Sequence, residues 1–455
     1  MRIFMLAPAL AGLFVAQLPA QDNTELLNRM KAMEDRIKSL EAEVQTLKQT
    51  AAVAPPPAAV TPPATAVPAL PPQSAAAALP QEPVTLGGAG PAASKALNPD
   101  ISAIGDFIGA VGQGANRRIP SLEMHESELG FQEVIDPYAR ADFFISFSEQ
   151  GVNLEEGYLT LTSLPAGLQV KVGKMRAAFG RVNTLHNHVL PWTDRPLVNQ
   201  NLVGGEDGID DAGLSVSRIL PAPKGIFLEG TAQLFRGDST NVFQANRRND
   251  VSTVEHLHAY HDISESTNLD IGGSYARGHS PFANGTNQLY SADLTLRWKP
   301  LRRAIYHSFV GRSEFVWART TVSPTVLFGL PALAYADDRY VAKPFGFYVS
   351  GDYQLGRRYF IGGRFDRSQR GACLPTNPPT APCGPLQFEK APSQPLFRGP
   401  LLQDTGGSLI LTYWPSEFSQ IRGQLRRTRY GEGLTANELI FQFMFSMGAH
   451  GAHPF

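Results

Sequence analysis

Histidines two positions apart are the first residues whose spacing suggests chemistry. His256 and His258 share one face of a strand-like segment with His261 nearby, and His186 with His188 and His450 with His453 resemble them. Imidazoles about 7 Å apart on one strand share a metal only with help from other strands. No carboxylate or thiolate stands at a fixed spacing to give that help. Wet-surface histidines are therefore the preferred reading, no cofactor is expected, and His256 and His258 stay weak metal candidates. Met124 to Glu128 reads MHESE, which is not the HExxH zinc motif. No G-x-S-x-G elbow or phosphate-binding loop occurs. His307 and Ser308 are neighbours on a strand, face opposite sides, and cannot act as base and nucleophile. An enzyme is not expected.

A second set of chemistry-bearing residues is charged and lies in alternating segments. If Val170, Leu294, Ile361, Ile421 and Phe443 face lipid, then Lys171, Arg297, Arg364, Arg422 and Arg426 face a lumen. Arg312 joins them, and so do Asp142, Glu229, Asp293, Glu314, Asp352 and Asp366. One reading is a wet interior filled with solvated, mutually paired charges. The other is a local anion step made by Arg422, Arg426 and Lys171. Between two strands runs a long connection, 178–210, carrying Arg181, His186, His188, Asp194, Arg195, Glu206, Asp207 and Asp210. Folded into a channel, its acidic groups would face basic wall residues and set a transverse field that selects polar solutes. The same carboxylates, with Gly204, Gly205 and Gly208, also suit ordinary turns.

The elements that must position these residues follow from composition and period. The 455 residues are 43% hydrophobic and 18% charged, with 42 Gly and 36 Pro. Beyond the N-terminus no run of eighteen apolar residues exists, which excludes a helical membrane protein. A net charge of −1 leaves no electrostatic footprint for nucleic acid. Mean hydropathy is −0.16. Sixteen period-two segments can be placed, near 101–112, 121–134, 138–148, 153–163, 167–177, 211–220, 226–236 and 254–262. The rest fall near 267–277, 289–298, 304–318, 344–354, 357–368, 407–414, 417–429 and 435–447. Connections after even-numbered segments are tight turns, whereas 178–210, 237–253, 319–343 and 369–406 all follow odd ones. A soluble sandwich has no reason to sort its loops by parity. The expected fold is all-β: a 16-stranded antiparallel transmembrane β-barrel over 98–455, entered by an N-terminal α-helical coiled coil and a Pro/Ala-rich linker.

Arg2, the apolar stretch Ile3 to Val15 and the small residue Ala20 read as a signal peptide over 1–20. In 21–52, Leu26, Met33, Leu40 and Leu47 alternate with Met30, Ile37 and Val44 at heptad spacing. The pairs Arg29 with Glu34, Arg36 with Glu41, and Glu43 with Lys48 suit a parallel homo-oligomer. Residues 53–97 are a Pro/Ala-rich linker. Cys373 and Cys383, ten positions apart in a Pro-rich loop of an exported chain, are expected to form a disulfide.

The stretch GLQVKVGKMRAAFGRVNTLHNHVLPWTDRPLVNQNLVGGEDGIDDAGLSVSRILPAP, from Gly167 to Pro223, carries a family likeness. With the coil, the linker and the barrel pattern, it resembles the phosphate-selective porin O and P family of Gram-negative outer membranes. The closing LIFQFMFSMGAHGAHPF also resembles zinc-regulated, TonB-dependent-receptor-like outer-membrane proteins. A plugged receptor of that kind needs 22 strands and a plug domain, for which this chain is too short. The resemblance implies a porin in the outer membrane, a trimer through barrel and coiled coil, and pore arginines that meet anions. The reading adopted is passive diffusion of small hydrophilic solutes or anions through a barrel set in outer-membrane lipid, narrowed by 178–210, with the coil in the periplasm. Two alternatives stay open: a gated ligand or metal receptor-type transporter, and an envelope-tethering structural barrel.

Overall fold

From Asp100 onward the chain alternates its side chains with a period of two, and the alternating segments are strands. The structure, a computed structural model, describes residues 31, 38, 99–113, 119–149, 151–239, 242–281, 285–322, 340–370, 401–431 and 433–448. The chain divides into two units, Met1–Pro83 and Val84–Phe455. In the first, Lys31 and Lys38 are described, both helical and exposed. The expected signal peptide, the rest of the coiled coil, the linker, Cys373 with Cys383, and the tail with His450 and His453 lie outside the described residues.

The strands of the second unit are β1 (Asp100–Gln113), β2 (Glu123–Asp136), β3 (Ala139–Ser148), β4 (Gly151–Leu161), β5 (Leu168–Arg176) and β6 (Asp210–Ile219). Then come β7 (Ile226–Phe235), β8 (Ser252–Ser264), β9 (Thr267–His279), β10 (Thr286–Trp298) and β11 (Phe309–Val322). Strand β12 has two segments, Tyr340–Ala342 and Phe345–Gln354, and is followed by β13 (Tyr359–Arg370), β14 (Leu402–Ser416), β15 (Ser419–Arg429) and β16 (Thr435–Gly448). Each pairs antiparallel with its sequence neighbours. Strand β1 closes the sheet on β16, from Ser102 opposite Gly448 to Gln113 opposite Asn437. The result is a closed sixteen-stranded antiparallel barrel, in which no strand is left as an edge.

Several boundaries differ from those expected, the strand placed near 407–414 running Leu402–Ser416, and two of the differences have a backbone reason. Strand β11 begins at Phe309 rather than near 304, because Arg303 has φ 69° and its carbonyl accepts the amides of Tyr306 and His307 at 2.8 and 3.1 Å. That turn consumes residues the alternation had placed in the strand. Strand β12 is interrupted at Lys343-Pro344, since proline has no N–H for the ladder. The Pro344 carbonyl still accepts the Ala318 amide at 3.0 Å, so the two segments behave as one strand.

The faces are inverted relative to a soluble barrel. On β13, Ile361 and Phe365 point outward and are exposed, while Arg364, Asp366, Ser368 and Arg370 are buried within. Leu409, Leu411, Ile421, Leu425, Leu439 and Phe443 extend the outer apolar belt. Exposing one such side chain to water forgoes about 1.5–3 kcal/mol. About five of them would match the whole stability of an ordinary domain, so the outer face requires hydrocarbon.

Candidate functional site

The long connection between β5 and β6 turns into the barrel and is built like a small core. Ala177, Phe179, Val182, Trp192 and Val198 are buried and cluster with Phe235, Val254, Leu289, Val316 and Tyr348 of the strands. Its base is sewn shut. The Ala177 amide donates to the Ile209 carbonyl at 2.8 Å, and Asn183 Nδ2 donates to the carbonyls of both residues at 2.9 and 3.0 Å. The Ile209 amide returns a bond to Asn183 Oδ1 at 2.8 Å. Gly208 beside it has φ 66°, and a Cβ there would stand 2.1 Å from Asn183 Oδ1. Gly208→Ala is expected to cost at least about 1–2 kcal/mol through the left-handed backbone. It should also unseat Asn183, visible as faster amide exchange over 177–183; unchanged exchange would contradict this.

The loop is fastened to three sectors of the wall. On β13 to β15, Asp194 accepts Arg364 Nη2 at 3.0 Å, Arg426 Nη1 at 2.7 Å and Gln424 Nε2 at 2.6 Å. Arg364 also donates to Asp366 at 2.7 Å and Arg426 to Glu438 of β16 at 2.7 Å. Arg422 donates to the Trp192 carbonyl at 3.1 Å and to Gln442 at 2.9 Å. A six-residue helix, α1 (Leu197–Leu202), starts with its Leu197 amide on Asp366 at 3.1 Å. Burial pushes the Asp194 carboxyl up, but the Arg364 and Arg426 guanidiniums outweigh it and hold it at about 2. Arg364 lies 5.0 Å from the Trp192 ring, and Trp192 meets Tyr348 edge-on at 5.0 Å.

The second sector spans β7, β9 and β11. There Gln233 accepts the Ala178 amide at 2.7 Å, Ser274 accepts Gly180 at 2.9 Å, and Glu314 accepts Val182 at 3.2 Å. Glu314 is fully buried and also accepts Asn199 Nδ2 at 3.4 Å.

The third sector is acidic and depends on two bulges. Asp106 of β1 lies opposite Glu126, whereas Phe107 lies opposite Met124, so His125 is an extra residue in β2. Likewise Phe144 faces Glu156 and Ile145 faces Leu154, which makes Glu155 the extra residue in β4. A bulge aims consecutive side chains to one side. It turns Glu155 and Glu156 inward together, with Glu126 and Glu128 beside them. His186 Nδ1 lies 2.7 Å from Glu128 and 3.0 Å from Glu155, and its Nε2 lies 2.8 Å from Glu156. Burial opposes charge on this ring, but the three carboxylates raise its pKa well above the ordinary histidine value. Asn187 Nδ2 donates to Glu126 at 2.8 Å.

The residues expected from the sequence are distributed unevenly over this arrangement. Arg364, Arg426, Asp366 and Asp194 form one network, while Arg422 holds the loop backbone beside it. Lys171 is not part of any step with Arg422 and Arg426: it sits on β5 with its ammonium 4.4 Å from the Tyr158 ring centre. Arg297 pairs with Asp270 at 3.3 Å, Arg312 pairs with Asp352, and Asp293 is buried on β10. Arg195 serves the loop itself, donating to Asn187 and to the carbonyls of Val182 and Leu185 at 2.6–3.1 Å. Its burial, with Arg176 nearby, lowers its pKa to about 10. Arg181 is half-buried, and Asp210 pairs with Lys174 at 2.8 Å. Glu206 and Asp207 are exposed, and Asp194 meets Arg364 and Arg426 of the wall. His256 bonds Ser274 at 2.8 Å and His258 bonds Asp270 at 2.7 Å; the two rings stack 6.2 Å apart.

The side chains of His258, Arg297 and Arg312 are 28%, 32% and 23% exposed, against 1% for Arg364 at the loop.

No family model matches the chain. An uncharacterized protein of Aquifex aeolicus (strain VF5) is 28% identical over an alignment of 423 residues, covering 80% of this chain and 81% of the relative. Among solved structures, the chain is similar to the anion-selective porin from Comamonas acidovorans, with 9% identity, TM-score 0.48, and 77% and 99% of the two chains covered. It is also similar to the outer membrane channel DcaP of Acinetobacter baumannii, with 12% identity, TM-score 0.46, and 80% and 100% covered. OprB of Pseudomonas putida aligns with 10% identity, TM-score 0.47, and 77% and 94% covered.

Proposed function

We propose that the chain is an outer-membrane porin of a Gram-negative bacterium through which small hydrophilic solutes diffuse passively. The observation that carries this reading is the placement of 177–209 inside a closed barrel whose inner face bears charged side chains, His258, Arg297 and Arg312 among them partly exposed. Sixteen strands enclose more space than side chains fill, so an inward loop sets the width. The lumen wall holds both signs of charge, and its arginines at the loop are already paired. Selection by size and polarity is therefore favoured over a phosphate-specific ladder. The signal peptide over 1–20 and a parallel coil over 21–52, trimeric with the barrel and lying in the periplasm, belong to the same proposal. So does the Cys373–Cys383 disulfide, which labelling by a thiol reagent without prior reduction would refute.

A second reading has its own observation. Phe179, Val182 and Val198 are fully buried, which is core packing rather than the loose contact of a loop lying in water. A barrel sealed by that core and opened by loop displacement would be a gated transporter. Planar-bilayer recording of the purified full chain separates the two. Steady ohmic current supports the porin. Silence, with current appearing once the loop is removed, supports the gate. Silence in both forms sinks both readings.

A further inference from the structure

The acidic sector holds more ligating groups than fastening a loop requires. Ligand atoms of Glu126, Glu128 and His188 lie within 4.8 Å of one another, and so do those of Glu128, Glu155 and His186. The two trios share Glu128, and they draw on β2, β4 and the inward loop. We propose that this cluster binds one divalent transition-metal ion of the Zn2+ class, with Glu128 as the ligand common to both trios.

Three features carry the proposal. The donor set is imidazole nitrogen with carboxylate oxygen, which suits zinc and its neighbours better than the all-oxygen shells of calcium or magnesium. Of four carboxylates, Glu128, Glu155 and Glu156 are met by donors of Arg176 and His186, whereas Glu126 is met by the neutral amide of Asn187. That leaves Glu126 paired by a neutral group away from bulk water. Finally, Glu126 is 7% exposed, and among the described residues its Oε1 has no hydrogen-bond donor although Oε2 accepts Asn187. A buried carboxylate oxygen without a donor is costly, and a cation beside it removes the cost.

The surroundings are also those of a ligand shell. Arg176 Nη2 donates to Glu155 at 2.9 Å and the Arg176 amide to Glu156 at 2.8 Å, so outer partners already orient these carboxylates. The His186–Glu128 and His188–Glu128 separations are 2.7 and 3.7 Å. Atoms bound to one zinc at about 2.0–2.2 Å stand roughly 3.4 Å apart in a tetrahedron, so small side-chain shifts suffice. The ion would displace the proton that His186 otherwise carries. It would also cross-link two strands to the loop. The sequence hid the site because Glu155 is turned inward by a bulge and the histidines arrive from another element.

The test uses the full-length protein in detergent, stripped with a chelator and titrated with Zn2+ alone, then with Co2+ as a spectroscopic stand-in. One ion per chain is expected, with Co2+ absorption in the range of mixed nitrogen and oxygen ligands. Glu128→Gln should weaken binding at least about tenfold. His188→Gln and His186→Gln should each weaken it, and His256→Ala, on another wall, should not. Absence of bound ion overturns the proposal, as does binding that ignores Glu128→Gln or follows His256→Ala instead. If Glu128→Gln fails to assemble a barrel, diethyl pyrocarbonate labelling of the wild type decides. Zn2+ should protect His186 and His188, and equal labelling with and without the ion overturns the site.

Discussion

Replacing Asp194 by alanine should free the inward loop from β13 to β15 while leaving the barrel closed. Asp194 is the acceptor on which Arg364, Arg426 and Gln424 converge, and all four side chains are buried. Removing one member of a buried ion pair typically costs about 3–5 kcal/mol, because the other charge stays behind without its partner. Here the cost should lie near the lower end, at about 3 kcal/mol, since Arg364 keeps Asp366 and Arg426 keeps Glu438. The strand ladder does not pass through Asp194, so the loss is local. Amide exchange over 190–203 should accelerate about a hundredfold, the factor that such an energy sets for local opening. Asp194→Asn keeps the shape and should lose less. Equal effects of the two variants would show that the charge of Asp194, not its shape, fastens the loop.

The same carboxylate sets an acid limit. Its pKa is held at about 2 in the folded chain, below the ordinary value of 3.8. A depressed carboxyl stabilises fully above its unfolded pKa, and that contribution is lost as pH falls toward the folded one. The fastening, about 2–3 kcal/mol by this linkage, should therefore be intact from neutral pH down to about 4 and fail on the way to about 2. In Asp194→Ala this acid step should be missing.

How far such a site can be read from sequence depends on which regularity each residue obeys. Arg364 and Asp366 were assignable to the lumen because period two holds without interruption through β13. Glu314 and Asp293 followed the same rule on β11 and β10. Their partners were not assignable. Asp194 reaches Arg364 across 170 positions of sequence, and only the path of the loop decides that meeting. Grouping Lys171 with Arg422 and Arg426 failed for a related reason: a face is local, but a place around a barrel depends on strand order. Glu155 shows the other failure. Two adjacent glutamates on a strand should face opposite ways, and a bulge is what turns both inward. MHESE is not the HExxH motif, and its glutamates matter because they stand two apart on β2, next to the bulge at His125. Phe309 and Pro344 mark where a left-handed turn and a missing amide shift strand boundaries that hydrophobic pattern alone cannot locate.

Deleting residues 184–205 should produce the largest functional change, a severalfold rise in single-channel conductance with weaker ion selectivity. The chain allows the cut, because Asn183 already bonds the Ile209 amide at 2.8 Å and its carbonyl at 3.0 Å. The stumps are held together before the deletion is made, so a short join need not strain β5 or β6. What leaves is Trp192, Asp194, α1, His186 and Asn187, the parts that cross the lumen and engage all three wall sectors. What stays is a sixteen-stranded wall whose interior is too wide for its own side chains to fill. Arg364, Arg422 and Arg426 then face water from one sector and Glu126, Glu128, Glu155 and Glu156 from another. Opposite charges bared in separate sectors partly cancel for an ion crossing a wide, hydrated path, and salt screens them further. Reversal potentials in a salt gradient should therefore move toward zero as conductance grows. If conductance is unchanged, the loop is not the element that limits flow. If the intact chain is silent and the deletion conducts, the loop is a gate rather than a constriction.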